Sequence, residues 1–265
     1  MATTEPRARI LAVANQKGGV GKTTTTINLG TALAAVGEEV LIVDLDPQGN
    51  ASTGFGVMPS DRTATTYDVL RGDATIDEAV HDTAVPRLRV VPAGQDLAGA
   101  EVELLNTTDR HYRLAEALRA YQATRPALSY VMIDCPPSLG LLTVNAMAAA
   151  DAMIVPLQCE FFALEGLGQI MHTITTVRER LNPRLELQGV ILTMFDGRNK
   201  LAREVEANVR EHLGDKVYKT NIPRNVRISE APSHGKPALL YDLRCVGSQA
   251  YVKLASEVIQ RERAT

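Results

Sequence analysis

Residues 15–23 read Asn-Gln-Lys-Gly-Gly-Val-Gly-Lys-Thr and directly follow an apolar run from Ile10 to Ala14. Glycines let backbone N–H groups turn inward with no Cβ in the way. Gly18, Gly19, Val20 and Gly21 would wrap a phosphate, Lys22 would reach the β- and γ-phosphates, and the Thr23 hydroxyl would bind Mg²⁺. The apolar-periodic stretch from Thr24 to Val36 then places those phosphates at a helix N-terminus, whose dipole favours anions. The expected ligand is a nucleoside triphosphate. The loop departs from the ordinary pattern in two ways: Gln16 stands where a glycine is usual, and a second lysine, Lys17, precedes the glycines. Taken alone, Lys17 also reads as a solvated loop charge.

Two further segments carry carboxylates to strand ends. Val43-Asp44-Leu45-Asp46-Pro47 presents two acids on one side of a chain terminus. One would hold a magnesium-bound water and the other would orient an attacking water, because this strand is expected to lie beside the one carrying the glycine loop. The competing reading is an Asx-turn before Pro47. Tyr130 to Ile133 is an apolar run closing on Asp134, the shape of an acid that reaches the Mg²⁺ coordination sphere. Cys135, next to it, reads as a small buried hydrophobe.

Those segments need a scaffold. Apolar runs at 10–14, 40–43, 88–91, 130–133, 152–157 and 189–194 mostly lack polar alternation, as strands covered on both faces do. Helix-like stretches lie at 23–36, 94–105, 111–122, 141–149, 164–180, 201–212 and 247–263. Their alternation predicts an α/β fold: a mostly parallel central sheet flanked by helices on both faces, with ligands at the carboxyl ends of the strands. No Pro/Gly/Ser linker divides residues 1–265, so one domain is expected, with residues 1–8 as a frayed tail. The formal net charge of −3 excludes a polycation, so nucleic-acid binding would need a local patch or several subunits. Three cysteines without CxxC spacing suit a reducing cytoplasm and point to neither a disulfide frame nor a zinc site. The longest apolar stretches are too short to cross a bilayer.

Together the segments KGGVGKTTT at 17–25, DLDPQGNAS at 44–52, IDCPPS at 133–138, PLQCEFFALEG at 156–166 and IPRNVRISEAPSHGKP at 222–237 resemble the ParA-type partition ATPases. These belong to the deviant Walker-A group that also holds MinD and the nitrogenase iron protein. The likeness is to the chromosomal, Soj-like kind; the plasmid kind with an extra N-terminal DNA-binding domain is not expected, since only nine residues precede the first strand. The resemblance implies ATP/ADP and Mg²⁺ as cofactors. It implies that Lys17 crosses an ATP-sandwich homodimer to the partner's phosphates and that Gly18 must stay small for closure. Lys22 would be the phosphate lysine within the subunit, Thr23 the magnesium ligand and Thr24 a contact to the α-phosphate. Asp46 would serve hydrolysis, with Asp44 and Asp134 supporting the metal through water. Pro223 and Asn225, with Met194 and Arg224, would line the adenine pocket.

The resemblance further implies a slow ATPase stimulated by a ParB-type partner and a dimer that binds double-stranded DNA without sequence preference on the nucleoid. Basic residues of the C-terminal third would supply that surface, and Arg198, Arg227 and Lys236 are the candidates. Acids nearby leave a solvated mixed-charge face as the competing reading. Aromatic residues are few in that region, which argues for phosphate contacts over base stacking. The alternative within the fold is a MinD-like ATPase that acts on a membrane or positions a protein cluster. The tail from Leu254 to Arg263 carries acids and no aromatic residue, so it reads as a packed helix. The scattered cysteines disfavour an iron–sulfur site.

Overall fold

The computed structural model describes residues 7–264. Strand β1 (Arg9–Val13) leads into helix α1 (Lys22–Ala35), and β2 (Glu39–Asp44) into the short α2 (Asn50–Gly54), α3 (Thr66–Arg71) and α4 (Ile76–Ala79). A two-residue strand β3 (His81–Asp82) precedes β4 (Leu88–Val91), then come α5 (Leu97–Glu103) and α6 (Arg113–Ala123). Strand β5 (Leu128–Asp134) is followed by α7 (Leu141–Ala149), β6 (Ala152–Gln158) by α8 (Ala163–Arg180), and β7 (Glu186–Thr193) by α9 (Lys200–Leu213). The chain closes with α10 (Val226–Glu230), α11 (Ala238–Tyr241) and α12 (Val246–Ala264).

The strands form a seven-stranded sheet in the order β3-β4-β2-β5-β1-β6-β7. Every pairing is parallel except β3 with β4. This is the α/β architecture expected. Side chains alternate between two apolar layers along each strand. Ile10, Ala12, Leu41 and Val43 join one layer with α3 to α9, while Leu11, Val13, Val40 and Ile42 join the other with α1, α2 and α10 to α12. Both faces are covered, which is why these strands read as continuous apolar runs.

One placement differs from expectation. Strand β2 does not lie beside β1, because β5 is inserted between them. Asp134 therefore pairs in register with Val13 on one side and with Asp44 on the other, and the acid nearest the glycine loop comes from β5. The tail expected over residues 1–8 falls, for residues 1–6, outside the described residues. Ala8 is packed at 4% exposure, and Arg7 Nε donates to Gln122 Oε1 at 3.2 Å.

Candidate nucleotide site

The loop between β1 and α1 is pinned at both ends. Asn15 is buried; its Nδ2 donates to the Pro156 carbonyl on β6 at 2.8 Å, and its Oδ1 accepts the Lys17 N–H at 3.0 Å. The Thr193 hydroxyl at the end of β7 donates to the Val20 carbonyl at 2.8 Å. Gly19 and Gly21 adopt φ of 73° and 88°, the left-handed region that favours glycine, and Gly21 turns the chain straight into α1. No side chain caps α1, so its first-turn N–H groups face the cleft as donors for an anion. Lys22 is 6% exposed, and its Nζ donates back to the Lys17 carbonyl at 3.2 Å, across the mouth of the loop. Burial lowers its pKa from the ordinary 10.5, against the pull of Asp134 and Asp46.

The three acids have distinct environments. Asp134 is fully buried; its Oδ1 accepts from the Thr26 hydroxyl at 3.2 Å, and its Oδ2 has no hydrogen-bond partner among the described residues. Burial raises its pKa well above the usual carboxylate range and Asp44 adds to the rise, while the nearby Thr23 hydroxyl favours the ionised form. A buried carboxylate oxygen without a donor is a place for a polar ligand, and a magnesium-bound water fits it. Asp46 lines the cleft, and its Oδ1 accepts the Gln48 N–H at 3.0 Å. The Asx-turn thus forms and aims the carboxylate at the same time.

Asp44 is placed differently. It is fully buried and does not line the cleft. Its Oδ2 accepts from the Ser52 N–H at 2.8 Å and hydroxyl at 2.6 Å, and its Oδ1 accepts the Asp46 N–H at 3.2 Å. Burial pushes its pKa up to about 6 despite these donors. The geometry gives Asp44 the task of holding the Asp46 turn and α2. Among the described residues no three His, Cys, Asp or Glu side chains come together to hold a bare metal ion.

A cleft of about 360 Å³ gathers Gly18, Gly19, Gly21, Lys22, Thr23, Thr24 and Asp46. It also includes Gln48, Asn50 and Pro137, which the motif reading did not single out; each stands within or beside a motif that it did use. A smaller cavity of about 90 Å³ adjoins it through Gly21, Thr24 and Met194. Pro223, Arg224 and Asn225 line that cavity together with Ile228 and Tyr251. Met194 holds φ of 48°, an uncommon conformation for a side chain of this kind and one that clusters at functional sites. Asn225 Oδ1 accepts the Arg227 N–H at 2.9 Å, so the residue caps α10 as well as facing the cavity. Tyr251, whose hydroxyl meets that of Thr25 at 3.3 Å, carried no motif signal.

Lys17 does not line its own subunit's cleft; its Nζ forms an ion pair with Glu160, and both side chains are 46% exposed. The proposed DNA contacts are spread over separate segments. Arg198 precedes α9 and is gripped by Asp196 at 2.9 and 2.8 Å. Arg227 on α10 pairs with Glu230 at 3.1 Å and lies 3.7 Å from Asp242. Lys236 is exposed. His234, in the same stretch, stacks on Tyr241. Cys135 is buried, as expected.

A family model described as an AAA domain, AAA_31, matches residues 8–187. The chromosome partitioning protein ParA of Caulobacter vibrioides is 65% identical over 96% of this chain and 95% of its own length. The sporulation initiation inhibitor protein Soj of Bacillus subtilis is 52% identical over 94% of this chain and 98% of its own. Among solved structures, cobyrinic acid a,c-diamide synthase from Mycobacterium smegmatis with bound ADP and magnesium superposes with a TM-score of 0.84. It is 38% identical and covers 97% of this chain and 96% of its own. The same M. smegmatis protein has also been solved with an ATP analog and magnesium. The strand–loop–helix that builds the cleft, the acids at the ends of β2 and β5, and these full-length likenesses lead to one conclusion: the chain belongs to the AAA_31 family and, within it, to the ParA/Soj chromosome-partitioning ATPases.

Proposed function

We propose that the chain hydrolyses ATP slowly as a sandwich homodimer, binds double-stranded DNA without sequence preference while ATP is held, and leaves it when a ParB-type partner stimulates hydrolysis. The carrying observation is the division of labour between two lysines of one loop. Lys22 is buried in the cleft, whereas Lys17 is turned outward onto Glu160. A cation needed at the phosphates but facing away from them in its own subunit is available to a partner's nucleotide.

ATP and Mg²⁺ fit the residues present. The uncapped start of α1 and Lys22 would hold the phosphates. Thr23 would ligate the metal, and Asp134 Oδ2 would accept from a metal-bound water. Mg²⁺, when bound, neutralises charge developing on the transferred phosphoryl group. Asp46 would orient water, and Asp44 would hold Asp46 through the Ser52 bonds. A carboxylate that orients water, with no stronger base beside it in the cleft, supports slow intrinsic turnover. The adjoining cavity beside Met194, Pro223 and Asn225 would take the adenine.

Arg198, Arg227 and Lys236 would contribute phosphate contacts, doubled by dimerisation. Two of the three carry acid partners of their own, which supports weak binding by the monomer. The membrane alternative has less support. No described helix is long and apolar enough to cross a bilayer, and α12 spends Leu254, Ala255 and Val258 on the core against α1. The name of the M. smegmatis protein belongs to a relative 38% identical, against 65% for the partitioning protein. Sedimentation with Mg-ATP, with ADP and without nucleotide, each with and without DNA, tests the reading. Dimers and DNA retention are expected with ATP alone, and an ATP-bound monomer would refute the sandwich.

A further inference from the structure

We propose that Phe161 and Phe162 are the apolar anchor of the face through which this chain meets a second copy of itself. The inference rests on the sandwich reading and names residues that the reading leaves out. The chain has four phenylalanines, and these two are 76% and 65% exposed. They meet edge to face with ring centroids 5.1 Å apart, and Leu164, next along the chain but one, is 38% exposed. Single exposed apolar side chains are ordinary, but contiguous aromatic rings held in water mark an interaction surface.

The patch is presented by a fixed turn. The Ala163 N–H donates to the Glu160 carbonyl at 2.9 Å, and the Gly166 N–H donates to the Phe162 carbonyl at 3.2 Å. The backbone that carries the rings at the start of α8 is therefore held before any partner arrives. Preorganised aromatic groups lose little conformational freedom on binding, and each covers roughly 150–250 Å² when buried.

Two features beside the rings select a second copy as occupant. Glu160, the residue before Phe161, is the ion-pair partner of Lys17, so one positive and one negative group stand at the edge of the same patch. A two-fold contact brings this patch against itself and carries each Lys17, once released from Glu160, toward the partner's cleft, as the sandwich requires. Gly18 follows Lys17, and a Cβ there would meet nothing within 4 Å, so the rim between the rings and the cleft is open to close approach. The Lys17–Glu160 pair sums to no net charge, so the patch edge offers an anionic bilayer no electrostatic attraction.

The chain contains no tryptophan, so Phe161→Trp places one reporting indole on the patch. Its emission should be that of a water-exposed indole without nucleotide and with ADP. With Mg-ATP it should shift to the blue and lose access to acrylamide, with the same protein-concentration midpoint as the dimer seen by sedimentation. The double variant Phe161→Asp/Phe162→Asp should bind ATP as a monomer and dimerise at least about tenfold more weakly, as loss of a central aromatic contact does. If the wild-type chain dimerises with ATP while the indole stays wet, or the double variant dimerises equally well, the patch is not the anchor although the sandwich stands. If the wild-type chain does not dimerise, the sandwich falls and this inference with it. A blue shift on anionic vesicles without ATP would assign the rings to a lipid surface and overturn the proposal.

Discussion

Lys17 and Lys22 stand five residues apart in one loop, and their surroundings differ: one is exposed on Glu160, the other buried in the cleft. Lys22 has lost water on most sides and is held near Asp134 and Asp46, so its ammonium is destabilised until phosphate oxygens replace the missing solvent. Lys22→Ala should weaken ATP binding by about ten- to a hundredfold, the usual effect of losing a charge-assisted contact, as measured by titration with a fluorescent nucleotide. The buried acids carry a pH signature of their own. Asp44 titrates near 3.8 when exposed and at about 6 in the fold, because burial outweighs the Ser52 donors. A folded pKa above the unfolded one means that the native state binds more protons between these values. The stability contributed by Asp44 is present below about pH 4 and is lost as pH rises through about 6. Asp44→Asn, neutral at every pH, should remove this component of the slope, read from urea midpoints of the nucleotide-free protein between pH 4 and 7.

The elements divide by how their side chains are paired. Strands at 40–43, 88–91 and 152–157 were legible because both faces are apolar, and the long helices because their apolar residues recur at helical spacing. Strand β7 begins at Glu186, ahead of the expected Gly189, because Glu186 and Gln188 are polar yet bonded to Arg9 in place of solvent. The short helices α2, α3, α4, α10 and α11 give too few turns for a periodic signal. Capping boxes at Thr65 with Asp68 and at Thr75 with Glu78 open α3 and α4 in the structure. The order of strands was not legible, since no local pattern states that β5 enters between β1 and β2. Gly189 gives the element scale its test. A Cβ there would lie 2.6 Å from the Tyr218 ring, 2.8 Å from Arg261 Nη1 and 2.9 Å from the Lys216 carbonyl. Gly189→Ala should cost about 1–3 kcal/mol of stability by overpacking, seen in thermal or urea unfolding, with ATP affinity held near the wild-type value.

At the scale of the whole molecule, the question is whether the cleft is complete in one chain. Gly21, Lys22, Thr23 and Asp46, proposed above for the phosphates, Mg²⁺ and water, line one cleft of a single subunit, and Lys17 does not line it. Gly18 separates the two possibilities because nothing among the described residues needs it to be glycine. Its φ is not positive, and a Cβ at this position would meet no atom within 4 Å. Gly18→Val should therefore fold normally, with an unchanged thermal midpoint, and should bind ATP as a monomer. If a second subunit presses its phosphates against this loop, the branched side chain would stand in the contact. ATP-dependent dimerisation, DNA retention and stimulated hydrolysis should then fail together. A monomer that binds ATP and does nothing further would place the defect between subunits, since the isolated fold offers no clash to explain it. An ATP-dependent dimer formed by Gly18→Val at the wild-type concentration would show that the two chains do not close over this loop.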